Sequence, residues 1–238
     1  MHLHAGQSDA SDDTGESTRD RLIDAAEMLF AEHGISSVSL REINRAAGAK
    51  NAVAVQYHFR DRDGILRAIS AKHFPVIDAR RHAMLDEYEA QGAHDIRLLA
   101  AALVRPLASK LDDTEGGLAY LQIYAALVNM PPTKAKGGEE PIATTGRDSV
   151  QRWRLLVEPF LGDDAARLHR RFAAIRFSAI EIGRRARTGP HRDDRLFVSD
   201  LIDLVASMLS GPPSEETTRL MADRDAARAK RPDIAKRR

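Results

Sequence analysis

Amide, phenol and imidazole side chains crowd into one short stretch, REINRAAGAKNAVAVQYHFRDRDGIL, which runs from Arg41 to Leu66. Asn51, Gln56, Tyr57 and His58 stand there where a purely packing helix would place leucines. Asn and Gln side chains pair bidentately with adenine, and Lys with O6 and N7 of guanine. Tyrosine, histidine and helix N-termini donate to phosphates, which fixes register without reading sequence. Lys50, Asn51 and Gln56 are therefore candidates for base contact, while Tyr57 and His58 hold the DNA backbone or pack. Arg41, at the start of the preceding helix, is a further candidate for the backbone.

Catalysis is the rival class, and it finds less to stand on. The chain has nine histidines but no HExxH, no GxGxxG and no GxxxxGK[ST]. His73 and His82 lie nine residues apart and do not share a helical face. There is no cysteine, which excludes disulfides, thiolate catalysis and cysteine-ligated zinc. The expectation is a protein that is not an enzyme and needs neither cofactor nor metal. A helical adaptor that binds only other proteins would have no use for the amide-rich helix.

The elements that must position these groups are helices. Leu22, Ile23, Ala26, Leu29 and Phe30 mark one face of a first helix, with Ser17 or Thr18 to cap it and Gly34 to end it. SLRE is a capping box in which Ser39 and Glu42 satisfy each other's backbone N–H, opening a helix that closes at Gly48. A third helix begins near Asn51 and ends around Phe59, and Asp61 caps a fourth carrying Ile65, Leu66 and Ile69. Beyond Pro75 the pattern predicts helices at 76–90, 95–111, 115–130, 144–160, 163–187 and 193–210, separated by stretches rich in turn formers. No alternating run predicts a strand, so the class is all-α. Residues 1–17 read as a disordered acidic arm and 211–238 as a basic tail.

Composition limits the rest. The formal charge is only +1, so a nucleic-acid surface has to be a local patch. The first residues lack the basic-then-apolar order of a signal peptide, and no apolar run approaches the ~18 residues of a membrane span. A soluble cytoplasmic protein is expected.

Two short helices joined by a tight glycine turn, the second presenting polar groups, form the pattern of a helix-turn-helix. Residues 18–72 resemble the DNA-binding domain of the TetR family of bacterial transcriptional regulators. The resemblance rests on LIDAAEMLFAEHG, VSLREINRAAGA, VQYHF and RDRDGIL, in the family's order and at nearly its spacing. It implies a DNA-binding domain at 18–74 and a helical ligand-binding and dimerisation domain at 75–210. The implied DNA contacts are Ser39, Arg41, Lys50, Asn51, Val53, Gln56, Tyr57 and His58. Two departures stand out. This chain has one residue more between Gly48 and Phe59 than the family's commonest form, and Gln56 occupies the usual place of a phosphate-binding tyrosine.

The resemblance further implies a homodimer on a palindromic operator, most simply a repressor released by a small molecule. The alternative is a regulator with no diffusible inducer, or one whose ligand is a corepressor. Tyr120, Tyr124, Trp153, Phe172 and Phe177 are the candidate walls of a largely apolar pocket. The last two long helices are apolar on more than one side, and one side is expected to meet a partner chain. The interface expected there is Phe172, Ile175, Ala179 and Ile182 with Phe197, Leu201, Val205, Met208 and Leu209.

Overall fold

A computed structural model describes residues 17–51, 53–92, 94–130, 148–162 and 168–229. The acidic arm up to residue 16, the stretch 131–147 and the last basic residues lie outside the described residues. Every regular element among those described is helical, as the sequence predicts.

Helix α1 spans Thr18–His33, with Ser17 accepting from the N–H of Asp20 at its start. Leu22, Ile23, Ala26 and Phe30 bury one face of it. Helix α2, Leu40–Ala46, opens on the expected capping box. Ser39 Oγ accepts from the N–H of Glu42 at 3.3 Å, and Glu42 Oε2 accepts from the N–H of Ser39 at 2.7 Å. Those bonds hold the Glu42 carboxyl below its usual range. Helix α3 is the short Ala54–Phe59, and α4 runs from Arg62 to Ala90. A Cβ at Gly64 would stand 1.8 Å from the carbonyl oxygen of Phe59, so only glycine lets α4 begin this close behind α3.

The break expected at Pro75 does not occur. α4 is one helix of 29 residues, about 44 Å long at 1.5 Å per residue. The reason is visible in its buried stripe of Ile65, Ile69, His73, Ile77, Arg81, Leu85 and Tyr88, which passes through the proline in unbroken helical register. Pro75 itself is exposed, so its ring sits on the solvent side and one backbone bond is forfeited there. The boundary expected between 74 and 75 thus falls inside one continuous helix.

The body is built around α5, Ile96–Ala108, which continues into a 3-10 turn at Ser109–Asp112. Leu99 through Val104 are all buried, the condition of a helix apolar on every side. The remaining helices are α6 (Gly117–Asn129), α7 (Ser149–Val157), α8 (Arg170–Arg187), α9 (Arg195–Ser210) and α10 (Glu215–Ala229). α7 lies on α4 and α5, and α9 lies on α5 and α8. α6 and α8 approach most closely, at Gly183, where a Cβ would meet that of Ala125 at 2.5 Å. α10 buries Met221 and little else, in keeping with a tail that has little to hide.

Candidate nucleic-acid interface

The head, α1 to the start of α4, turns its apolar residues inward and leaves its polar ones outside. On α3 the residues Ala54, Val55 and Phe59 are buried. Gln56, Tyr57 and His58 on the opposite face are exposed, Tyr57 by 82%. Ser39, Arg41, Lys50, Asn51 and Val53 are exposed too, so all eight expected contacts reach solvent. Tyr57 and His58 meet edge to face with ring centroids 5.1 Å apart, which spreads them over the surface.

Residues the sequence did not single out hold this face in place. Asn44 on α2 is buried, and its Oδ1 accepts the N–H of Val55 at 3.1 Å, fixing the start of α3 to α2. Arg62 Nη2 donates to the carbonyl of Val38 at 2.7 Å and ties α4 to the loop before α2. The guanidinium of Arg19 lies 5.3 Å from the centre of the Phe59 ring. Asn51 Oδ1 accepts from the N–H of Val53 at 3.0 Å, an Asx turn just ahead of α3, which has no side-chain cap. Arg60 leaves α3 at φ 69, an uncommon conformation for a side chain larger than glycine. The polar identity of Asn44, amid an otherwise apolar inward face, was the one signal available beforehand.

Charge follows the same division. From residue 39 to residue 60 the chain places Arg41, Arg45, Lys50 and Arg60 against a single carboxylate, Glu42, which the capping box already uses. The acidic residues of α1, Asp20, Asp24, Glu27 and Glu32, lie on another element. A nearly neutral chain therefore carries a local excess of positive charge along this segment, the sign a phosphate backbone requires.

Residues 22–69 match the family model described as bacterial regulatory proteins, tetR family. Over those residues the chain is similar to the TetR family. The match ends with Ile69, so it covers the head and the first part of α4. Over 54 residues the chain is 39% identical to the HTH-type transcriptional regulator AcrR of Shigella flexneri, covering 23% of this chain and 25% of that protein. Over 58 residues it is 33% identical to the probable HTH-type transcriptional regulator YttP of Bacillus subtilis (strain 168), covering 24% of this chain and 28% of that protein. The chain thus spans about a quarter of the length of these TetR-family relatives. A fatty acid degradation regulator, FadR from Bacillus halodurans, aligns over 82% of this chain and 99% of its own at 15% identity, with a TM-score of 0.37. A score that low says nothing about a shared arrangement of helices.

The residues expected to wall a pocket are dispersed in the body. Trp153 is fully buried, with Nε1 donating to the carbonyl of Leu99 at 2.7 Å, and serves as core. Tyr120 is 2% exposed and lies 5.9 Å, ring to ring, from half-buried Tyr124. Burial pushes both phenols well above their ordinary range. Phe172 is 52% exposed under the guanidinium of Arg154, and Phe177 is half-buried. Among these rings stands a group the sequence did not flag. Arg81 of α4 is buried and donates to the carbonyl of Ala102 at 3.1 Å and to Ser149 Oγ at 3.0 Å. Its ionisation is lowered by burial. No helix among the described residues is by itself long and apolar enough to cross a membrane.

The expected partner-facing residues need correction. Ala179, Ile182, Leu201, Val205 and Leu209 are buried in their own chain, where a partner cannot reach them. The expectation took the more regular apolar stripe of each helix for the interface, whereas that stripe is what the core uses. On α8, Phe172 and Ile175 of that stripe stay accessible, together with Ala173, Phe177 and Ile180 beside it. On α9, Phe197, Leu204 and Met208 stay accessible, with Leu204 47% exposed. Of the residues expected there, Phe172, Ile175, Phe197 and Met208 keep accessible surface.

Proposed function

We propose that the protein is a homodimeric transcriptional regulator of the cytoplasm, a repressor that reads a palindromic operator with two copies of α3. A small, largely apolar molecule in the body releases it. One observation carries this reading: α3 buries Ala54, Val55 and Phe59 and leaves Gln56, Tyr57 and His58 bare beside Lys50 and Asn51. Six residues of helix with that division have little core to build and much surface to offer, which suits a helix laid in the major groove. The half-exposed apolar stripes of α8 and α9 supply a face for the second copy, and a two-fold axis there suits a palindrome. The two α3 helices then enter successive major grooves about 34 Å apart. A ligand that prefers another separation weakens DNA binding by its difference in affinity for the two states. Tyr124 and Arg81, which offer polar handles among apolar neighbours, are the residues we assign to that ligand's site.

The test is selection of genomic fragments by the full chain, followed by footprinting of what it retains. The expected result is a protected near-palindrome whose affinity falls with salt, with Gln56→Ala relaxing base preference at symmetric positions. Retained fragments that show no protected site would count against the reading.

A further inference from the structure

Head and body meet at a carboxylate. Glu27 of α1 is 2% exposed. Its Oε1 lies 2.7 Å from Nε2 of His73, and its Oε2 accepts from Nζ of Lys72 at 2.9 Å, both residues of α4. Opposite stands Gly116, which opens α6 with φ 92. A Cβ at that position would lie 2.5 Å from Glu27 Oε2. The carboxylate therefore reaches bare backbone at the positive end of the α6 peptide dipoles, where an anion is favoured. One turn further along α6, Tyr120 lays its ring on His73, with centroids 4.5 Å apart and planes at 22°.

Position 27 lies among buried Ile23, Ala26 and Phe30, and a leucine there would fill the same place with no charge to bury. Burying a charge is unfavourable unless its partners stand in the right geometry. Apolar surfaces tolerate sliding, whereas this carboxylate is satisfied only where Lys72, His73 and the first turn of α6 coincide. Lys72 also holds Asp24 of α1 at 2.7 Å, a second bond with the same direction. Beside the junction a cleft of about 940 Å³ runs between α1 and α6, with Lys72, Gly116, Leu118 and Gln122 in its walls. The head has room to turn there.

We propose that Glu27 is a positioning residue for DNA reading, which sets the angle of the head on the body through the first turn of α6. A shift of that turn removes the backbone that Glu27 Oε2 meets at Gly116 and lets the head turn. This rests on the DNA-reading function proposed above.

The chain has no cysteine, so nitroxide labels can be placed at will. Ser36→Cys in the head and Arg105→Cys in the body are both at exposed positions. With unlabelled chain in excess, pulsed electron resonance reads the distance from head to body within one protomer. Glu27→Leu and the isosteric Glu27→Gln are compared with the parent for that distance, for melting temperature, and for binding to a retained palindrome and to an unrelated duplex. The expected result is that Glu27→Leu melts no lower than the parent yet shows a broadened distance. It also binds the palindrome at least tenfold more weakly, while binding to the unrelated duplex changes less than twofold. Glu27→Gln gives the same pattern more mildly.

Parent-like distance and palindrome affinity in both variants would overturn the proposal. So would a loss of affinity that only follows a loss of thermal stability. If the parent itself retains no DNA, the proposed function fails, and the distance measurement alone decides whether Glu27 sets the angle.

Discussion

Tyr57 on α3 keeps 82% of its surface exposed, whereas Tyr120 on α6 keeps 2%. Both sit on helices near other aromatic side chains, and composition alone does not tell them apart. The difference is in what surrounds them. α3 is six residues long and buries only what joins it to α2 and α4, so its remaining side chains are free to meet another molecule. α6 is enclosed by α1, α4 and α8, so the ring of Tyr120 packs on His73 of the same chain. In the head, chemistry is presented. In the body, it is spent on holding helices in register.

The strongest way to break this contrast is to place a charge on each side of α9. Val205 is fully buried and Leu204 is 47% exposed, although they are neighbours. Val205→Arg buries an unpaired charge and should unfold the body, a loss above the roughly 4–5 kcal/mol that few single substitutions reach. Leu204→Arg should leave helical content and melting nearly unchanged while turning the proposed dimer into a monomer. Circular dichroism with sedimentation checks both. A folded Val205→Arg protein would show that the core has been wrongly assigned.

Next in size is Trp153→Ala, which removes a fully buried ring and its bond to Leu99. It should destabilise the chain by about 3–5 kcal/mol. Urea unfolding measures this, and a loss under about 1 kcal/mol would mean that the ring faces a cavity able to be refilled.

Asn44→Ala and Gln56→Ala sharpen the contrast within the head. Asn44→Ala strands the N–H of Val55 and should lower stability by about 1–3 kcal/mol, weakening all DNA alike. Gln56→Ala should change stability by under about 0.5 kcal/mol. Its loss, about 1–3 kcal/mol, should appear only as discrimination between bases. Competition binding on matched and mismatched duplexes separates the two, and equal behaviour of both variants would remove Gln56 from base reading.

The smallest effect belongs to the surface. The Arg195 side chain, then its backbone N–H, holds the Asp193 carboxyl down to about 2. A depressed carboxylate stabilises the folded state above its unfolded value, about 3.9, and the contribution disappears as pH falls toward about 2. The difference in melting temperature between parent and Asp193→Asn should be small at neutral pH, since the pair is exposed, and should vanish over that acid window. A difference that stays constant through it would assign the effect to something other than ionisation.

Much of this molecule could be read in advance, and the reasons are local. The capping box at Ser39 and Glu42, the turn at Gly48 and the cap at Asp61 each act within a few residues, so type and spacing suffice to see them. The exposure of Gln56, Tyr57 and His58 was legible because a six-residue helix buries only the side that joins it to its neighbours. Pro75 misled because a proline usually ends a helix, and only the stripe on the far side of α4 shows why it does not. That stripe was obscured by its own polar members, His73 and Arg81, which look like surface until their partners on other helices are known.

Sequence by itself determined the helical class, most of the helices, and which face of α3 is polar, since these follow from backbone bonds and side-chain periodicity along one segment. Only the tertiary structure decided which of two apolar stripes on α8 and α9 became core, and which charged residues were buried. Both depend on neighbours distant in the chain. Ala179 and Phe177 are equally apolar by type, and only the seating of α8 on α6 through Gly183 hides the one and leaves the other half-exposed. Glu27 is ordinary in sequence; Lys72, His73 and Gly116, arriving from two other helices, are what make its burial tolerable.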